Sequence, residues 1–198
     1  MESYLTIKFP SEGSFKDRGS KFIAYAYPIG DVNEVKVHLE ALRKKHYDAR
    51  HHCYAFMIGA DQAIYRANDD GEPGHSAGDP ILGQIKSNNL TNILVVVVRY
   101  FGGTKLGISG LINAYRSAAS EAISASTIVK RLITETITIQ FPYEVTSQAM
   151  KLVDEFKIKI EDQKFTESCE ISGQIQPIYK PEFQEKAKLI QGLIIKFE

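Results

Sequence analysis

The sequence predicts an α+β protein of two domains, a first over residues 1–128 and a ferredoxin-like βαββαβ domain over residues 129–198. Three observations carry this prediction. Ile93, Leu94 and Val95 to Val98 form an all-apolar run, the mark of a strand covered on both faces. That run passes through a glycine loop into a small-residue helix. From Ile128 the texture changes to β-branched alternation (Ile133, Thr134, Thr136, Ile137, Thr138, Ile139), which favours strand.

Taken in order, Tyr4, Thr6 and Lys8 alternate with Leu5, Ile7 and Phe9 as a first strand, and residues 21–29 are apolar and aromatic enough for a second. Residues 10–19 read as a polar turn between them. Asp31 followed by Glu34 is a helix start of the capping-box kind, and Val35, Leu39 and Leu42 keep helical spacing. Residues 52–58 alternate as a strand, with residues 63–67 as the hairpin partner across 59–62. A loop rich in Asp, Gly and Pro covers 68–78. Asp79 is then the expected N-cap and Pro80 the first helical residue of a helix through Ile85, ended by Asn88-Asn89.

Beyond Val129 the order is strand (132–141), helix (143–156), strand (157–162), strand (165–171, with an extension to 178 left open), helix (181–191) and strand (193–197), the split βαβ arrangement. Stripes at helical spacing, Val145, Ala149, Leu152 and Phe156, then Phe183, Ala187 and Ile190, support both helices.

Lys+Arg and Asp+Glu number 24 each in the 198 residues, so no global charge points to nucleic acid or a membrane surface. Residues 1–130 carry 15 basic against 13 acidic side chains and residues 131–198 carry 9 against 11, so any basic site is local. Cys53 and Cys169 match no CxxC pattern, which signals neither a zinc site nor a disulfide scaffold. No apolar run approaches the ~20 residues of a membrane span, and no leader pattern opens the chain. A cytoplasmic protein is expected, with no membrane partner and no motif that reads DNA sequence.

The segment Arg99-Tyr-Phe-Gly-Gly-Thr-Lys-Leu-Gly-Ile-Ser-Gly110 carries most of the functional signal. Glycines allow sharp turns and close approach, and the following helix presents free N–H groups at its positive dipole end. Those are the ingredients of an anion site. The spacing fits neither Walker A nor the dinucleotide fingerprint. Gly107 and Gly110 also belong to a stripe of small residues that suits a helix packed close on a sheet.

The acidic loop holds Asp69, Asp70, Glu72, His75 and Ser76, with Gly74-His-Ser-Ala-Gly78 matching the nucleophile elbow by letters only. No apolar strand runs into that serine. Asp69, Asp70, Glu72 and His75, with His51 or His52, offer oxygen and imidazole ligands, yet no spacing is diagnostic of a metal. No catalytic residue, metal or cofactor is expected. On the strand at 52–58, His51 and Cys53 share one face and His52 takes the other. The candidate ligand- or RNA-binding residues are Arg99, Tyr100, Phe101, Gly102, Gly103, Lys105, Gly107 and Arg116, with His51, His52, Asp69, Asp70 and Glu72. They are expected to converge on one surface of the first domain.

Asp48-Ala-Arg-His-His-Cys-Tyr-Ala55, Asp69-Asp-Gly-Glu-Pro-Gly74, Ala77-Gly78 with Pro80-Ile-Leu82, and Val97-Val-Arg-Tyr-Phe-Gly-Gly-Thr-Lys-Leu-Gly107 with Gly110-Leu111 and Ala114-Tyr115 together resemble the IMPACT/YigZ family. The resemblance spans nearly the whole chain. It implies that the first domain has the βα fold of a ribosomal-protein second domain, shared with GHMP kinases and elongation factor G. The C-terminal domain is then expected to resemble the last domain of that factor. Eukaryotic relatives regulate translation during amino-acid starvation by competing for the co-activator of a stress-response kinase, through an extra N-terminal domain whose role is not carried over. At His75-Ser76 the family pattern has a small residue followed by Thr or Ser, so no ligand role is carried to His75. The implied function is a translation-linked regulatory or binding protein that contacts RNA or a ribosome-associated protein. An enzyme on a small phosphorylated or peptide substrate, and a protein-interaction scaffold, are the alternatives.

Overall fold

The structure, a computed structural model, describes residues 2–166 and 168–197. The chain divides into two compact units, one formed by Tyr4–Arg131 and the other by the chain from Leu132 onward together with the N-terminal residues through Ser3. Both mix helix and sheet.

The elements of the first unit are β1 (Ser3–Ile7), β2 (Ser11–Asp17), β3 (Ser20–Pro28), α1 (Val32–Lys45), β4 (His51–Ile58), β5 (Ile64–Asn68), α2 (Gly78–Ser87), β6 (Ile93–Tyr100), α3 (Gly107–Ser124) and β7 (Ile128–Leu132). Five strands make an antiparallel sheet in the order β2-β3-β6-β4-β5, while β1 and β7 form a separate two-stranded ribbon. Central β6 has Ile93 to Val98 wholly buried, each such side chain worth roughly 1.5–3 kcal/mol. The two faces of the sheet are filled differently. Leu94, Val96 and Val98 pack with Tyr54 and Phe56 against Val35, Leu39 and Leu42 of α1. On the other side Val95 and Val97 join Ala24, Ala26, Cys53 and Ala55 beneath α2 and α3, which present Ile81, Ile85, Ala114, Tyr115 and Ala118.

Residues 10–19, expected as a turn, contain β2. Its inward face reads Ser11, Gly13, Phe15 and hides the apolar alternation that marks a strand, because α3 lies almost upon it. A Cβ on Gly13 would stand 2.3 Å from the Ala122 nitrogen, and the Ser11 hydroxyl donates to the Ala122 carbonyl at 2.8 Å. The start of α1 follows expectation. Asp31 accepts from the amides of Asn33 and Glu34, and Glu34 accepts from Gly30, one residue upstream of the cap.

The second unit contains β8 (Glu135–Pro142), α4 (Thr146–Glu155), β9 (Lys159–Lys164), β10 (Ser168–Ile175), α5 (Lys180–Lys188) and β11 (Ile194–Phe197). Its sheet is antiparallel in the order β11-β8-β10-β9, the βαββαβ ferredoxin-like topology. Ile137, Ile139, Phe141, Cys169, Ile171 and Ile175 meet Ala149, Leu152, Val153, Phe183 and Ala187 in its core. Several boundaries move from expectation: β8 starts at Glu135 rather than at Leu132, which ends β7, β9 is shifted to Lys159–Lys164, and α5 ends at Lys188 rather than at Gln191. β10 starts at Ser168 rather than at Phe165, and a 3-10 turn at Tyr143–Val145 precedes α4.

Candidate functional site

β6 delivers its last residues to the sheet end where the acidic loop and α3 also begin. Period-two alternation sends Arg99 to the same face as Val95 and Val97, so its guanidinium is buried. Its Nη1 donates to Glu72 Oε1 at 2.6 Å, the two side chains being 8% and 4% exposed. Tyr115 of α3 donates to the same oxygen at 2.7 Å. The guanidinium lies over Phe22 at 5.5 Å and Phe101 at 5.6 Å. Arg99, expected as a free phosphate-binding cation, is therefore first the partner of a buried carboxylate. Burial of two charges is tolerated only with such pairing.

Behind this pair the Cys53 thiol sits 3.3 Å from the Tyr115 hydroxyl and 3.0 Å from the Asp69 carbonyl. Burial pushes both the thiol and the phenol above their ordinary pKa, which favours their protonated forms. Ser76 is fully buried and bonded to the Pro73 carbonyl.

The carboxylates of the acidic loop hold the loop itself and tie it to its neighbours. Asp69 accepts from the amides of His75, Ala77 and Gly78. Burial raises its carboxyl pKa, and those three amides more than reverse the effect. Helix α2 accordingly starts at Gly78 with Asp69 in the capping role expected of Asp79, whose own side chain instead pairs with His75 at 2.6 Å. Asp70 accepts from the His52 amide at 2.7 Å and faces Arg43 of α1 at 3.4 Å, while its carbonyl accepts from His51 Nδ1 at 2.9 Å.

A groove of about 870 Å³ opens at this end of the unit, lined by Asp48, Arg50, His51, Glu72, Pro73, Arg99, Tyr100, Phe101, Lys105, Leu106, Gly107, Ile108 and Leu111. It brings together His51, Glu72, Arg99, Tyr100, Phe101, Lys105 and Gly107 of the expected set. Asp69, Asp70, His52, Gly102, Gly103 and Arg116 do not line it. His52 points to the α1 face, Arg116 is exposed along α3, and Gly102 is pressed against the Gly19–Ser20 turn. Sequence reasoning missed Arg50, Asp48 and Ile108. Arg50 immediately precedes β4, inside a motif already singled out for its histidines.

The N-terminus of α3 faces the groove without a side-chain cap and with no acidic residue in its first turn. Gly107 has φ +72° and open space around it. Beside it stand Lys105 and Arg50, both exposed, and neither makes an ion pair among the described residues. Phe101 and Ile108, 59% and 60% exposed, form an apolar rim. This combination can hold an anion by dipole and charge and stack a planar group beside it.

Opposite Arg99, Tyr100 points toward α1. Its hydroxyl meets His46 Nδ1 at 2.8 Å and Asp48 at 3.1 Å, and His46 Nε2 meets the Tyr25 hydroxyl at 2.8 Å. Burial, reinforced by Lys45, depresses the His46 pKa; burial likewise depresses that of His52, whose Nε2 has no partner among the described residues. A depressed folded-state pKa means that protonation favours the unfolded chain. The stabilisation is complete above the unfolded value near 6.5 and is lost as pH falls through the lower folded values. Urea midpoints measured by circular dichroism should therefore decline from pH 7 to 5. The decline should be shallower in His52→Leu; identical slopes would assign it to other groups.

Fold and groove define an α+β domain with an open groove at one sheet end, followed in the chain by a ferredoxin-like unit. The profile of the Impact N-terminal domain matches residues 18–123. IMPACT family member YvyE of Bacillus subtilis is 31% identical over 176 residues, covering 89% of this chain and 81% of its own. IMPACT family member YigZ of Escherichia coli is 36% identical over 145 residues, covering 72% and 71% respectively. A crystal structure of a hypothetical protein superposes with a TM-score of 0.74 at 30% identity, over 98% of this chain and 97% of that one. The chain belongs to the IMPACT family. No helix among the described residues is long and apolar enough to cross a membrane.

Proposed function

We propose that this IMPACT-family protein serves translation as a binding protein, taking single-stranded RNA in the groove at the N-terminus of α3. The observation that carries this reading is the uncapped α3 terminus sharing one groove with Lys105 and Arg50, which make no ion pair among the described residues, and with exposed Phe101. Cations supply phosphate contacts and an exposed aromatic ring supplies a stacking platform. The family resemblance supports the link to translation.

Two free cations imply about two phosphate contacts and a salt slope of roughly −1.4, so affinity should fall about sevenfold between 50 and 200 mM salt. Lys105→Ala should halve that slope to roughly −0.7 while leaving the fold intact, since its side chain is exposed. Filter-binding titrations decide the matter. Absence of binding at 50 mM salt, or an unchanged slope in Lys105→Ala, would give the groove to a protein segment seated on Phe101 and Ile108 instead.

A further inference from the structure

We propose that the groove seats the end of an RNA strand, with a terminal phosphate monoester held at the start of α3 by Lys105, Arg50 and the free amides of the first turn; this rests on the RNA reading above. Supply of donors is the first reason. The α3 terminus lacks a side-chain cap, and none of the amides of Gly107, Ile108 and Ser109 has a hydrogen-bond partner among the described residues.

The second reason is independent of the helix. Arg99 lines the same groove with a side chain that is 8% exposed, yet its single hydrogen bond among the described residues is Nη1 to Glu72, and its Nε is buried without a partner. A guanidinium has five N–H donors; the buried Nε–H is left without a partner among the described residues, which is costly, and Nη2 makes no hydrogen bond among them either. An anion in the groove would use those that face it. A phosphate monoester offers three terminal oxygens and close to two charges, whereas an internal diester offers two oxygens and one charge.

The shape of the site gives the third reason. A volume of about 870 Å³ is that of a small-ligand site and holds one or two nucleotides. An extended strand needs a row of cations along its path. Here the basic lining stops at Arg50, Arg99 and Lys105, Arg116 lies outside, and a backbone running the length of the groove would pass the carboxylate of Asp48. One phosphate at the α3 end, with its nucleotide against Phe101, avoids that repulsion.

The test uses the full chain and three internally labelled RNA 12-mers of one sequence, carrying a 5′ phosphate, a 3′ phosphate or hydroxyls at both ends, titrated by fluorescence anisotropy at 50 mM salt. One phosphorylated end should bind about tenfold more tightly than the hydroxyl-ended strand, which corresponds to about 1.4 kcal/mol. The preference should vanish in Arg50→Ala/Lys105→Ala, and the thermal midpoint should stay unchanged because both side chains are exposed. A nucleoside monophosphate that displaces the end-phosphorylated strand supports the seat and measures how far the free compound can occupy it; failure to displace overturns it. Equal affinity for all three strands would overturn the end-seat and leave RNA binding standing, a preference that survives the double variant would move the seat elsewhere, and no binding of any strand would overturn the RNA reading itself.

Discussion

Glu72→Ala should destabilise the first unit by about 3–5 kcal/mol, the range for breaking a buried pair by removal of one partner. Arg99 would keep its charge in a place almost closed to water, and Tyr115 would lose the acceptor of its hydroxyl. The chain has no tryptophan, so far-UV circular dichroism during urea unfolding is the suitable probe. Removing both charges in Glu72→Ala/Arg99→Met should recover a large part of the loss, because a buried pair replaced by apolar groups is often neutral. A loss below about 1 kcal/mol in Glu72→Ala would be the value of a solvent-screened surface pair and would contradict the buried geometry.

Gly102→Ala should be nearly as damaging, and by another cause. Its Cβ would fall 1.8 Å from the Gly19 carbonyl carbon and 2.1 Å from the Ser20 nitrogen, so main chain must move, and the bond from the Gly102 amide to Ser20 Oγ at 3.1 Å goes with it. Overpacking of this kind costs about 1–3 kcal/mol or more. The neighbouring Gly103→Ala is the control. Gly103 has φ +88° with nothing within 4 Å of an added Cβ, so it should lose only the roughly 1–2 kcal/mol of left-handed strain. Thermal unfolding of the two variants side by side checks the order; a reversal would mean that the loop does not rest on the β2–β3 turn.

The sequence made β6 legible because a strand covered on both faces leaves six consecutive apolar letters. β2 was illegible for the opposite reason, since a helix lying on a strand selects Ser11 and Gly13, which also spell a turn. At the site, position could be read and pairing could not. Arg99 follows Val95 and Val97 in period two, so its inward direction was available from spacing. That Glu72, 27 residues earlier, meets it was not, because the meeting depends on how the acidic loop folds over the end of the sheet. The same loop shows why Asp69 resisted reading. A carboxylate that caps a helix nine residues later has no local pattern to announce it, whereas Asp31 lies next to the helix it caps.

The ribbon of β1 and β7 has a consequence for how the chain is made. Lys8 donates its amide to the Thr127 carbonyl at 2.8 Å, so the strand synthesised first is paired by one synthesised last in the unit. At about 5–20 residues per second, β1 waits several seconds, up to tens of seconds, with its main-chain groups open to any other extended partner. The equilibrium cost of so distant a closure is small, since each doubling of loop length adds only about 0.6 kcal/mol. The burden falls on timing: during vectorial synthesis the N-terminal strand is the segment most exposed to mispairing, and slower elongation past residue 100 should lower the yield of folded protein even when the finished fold is unaltered.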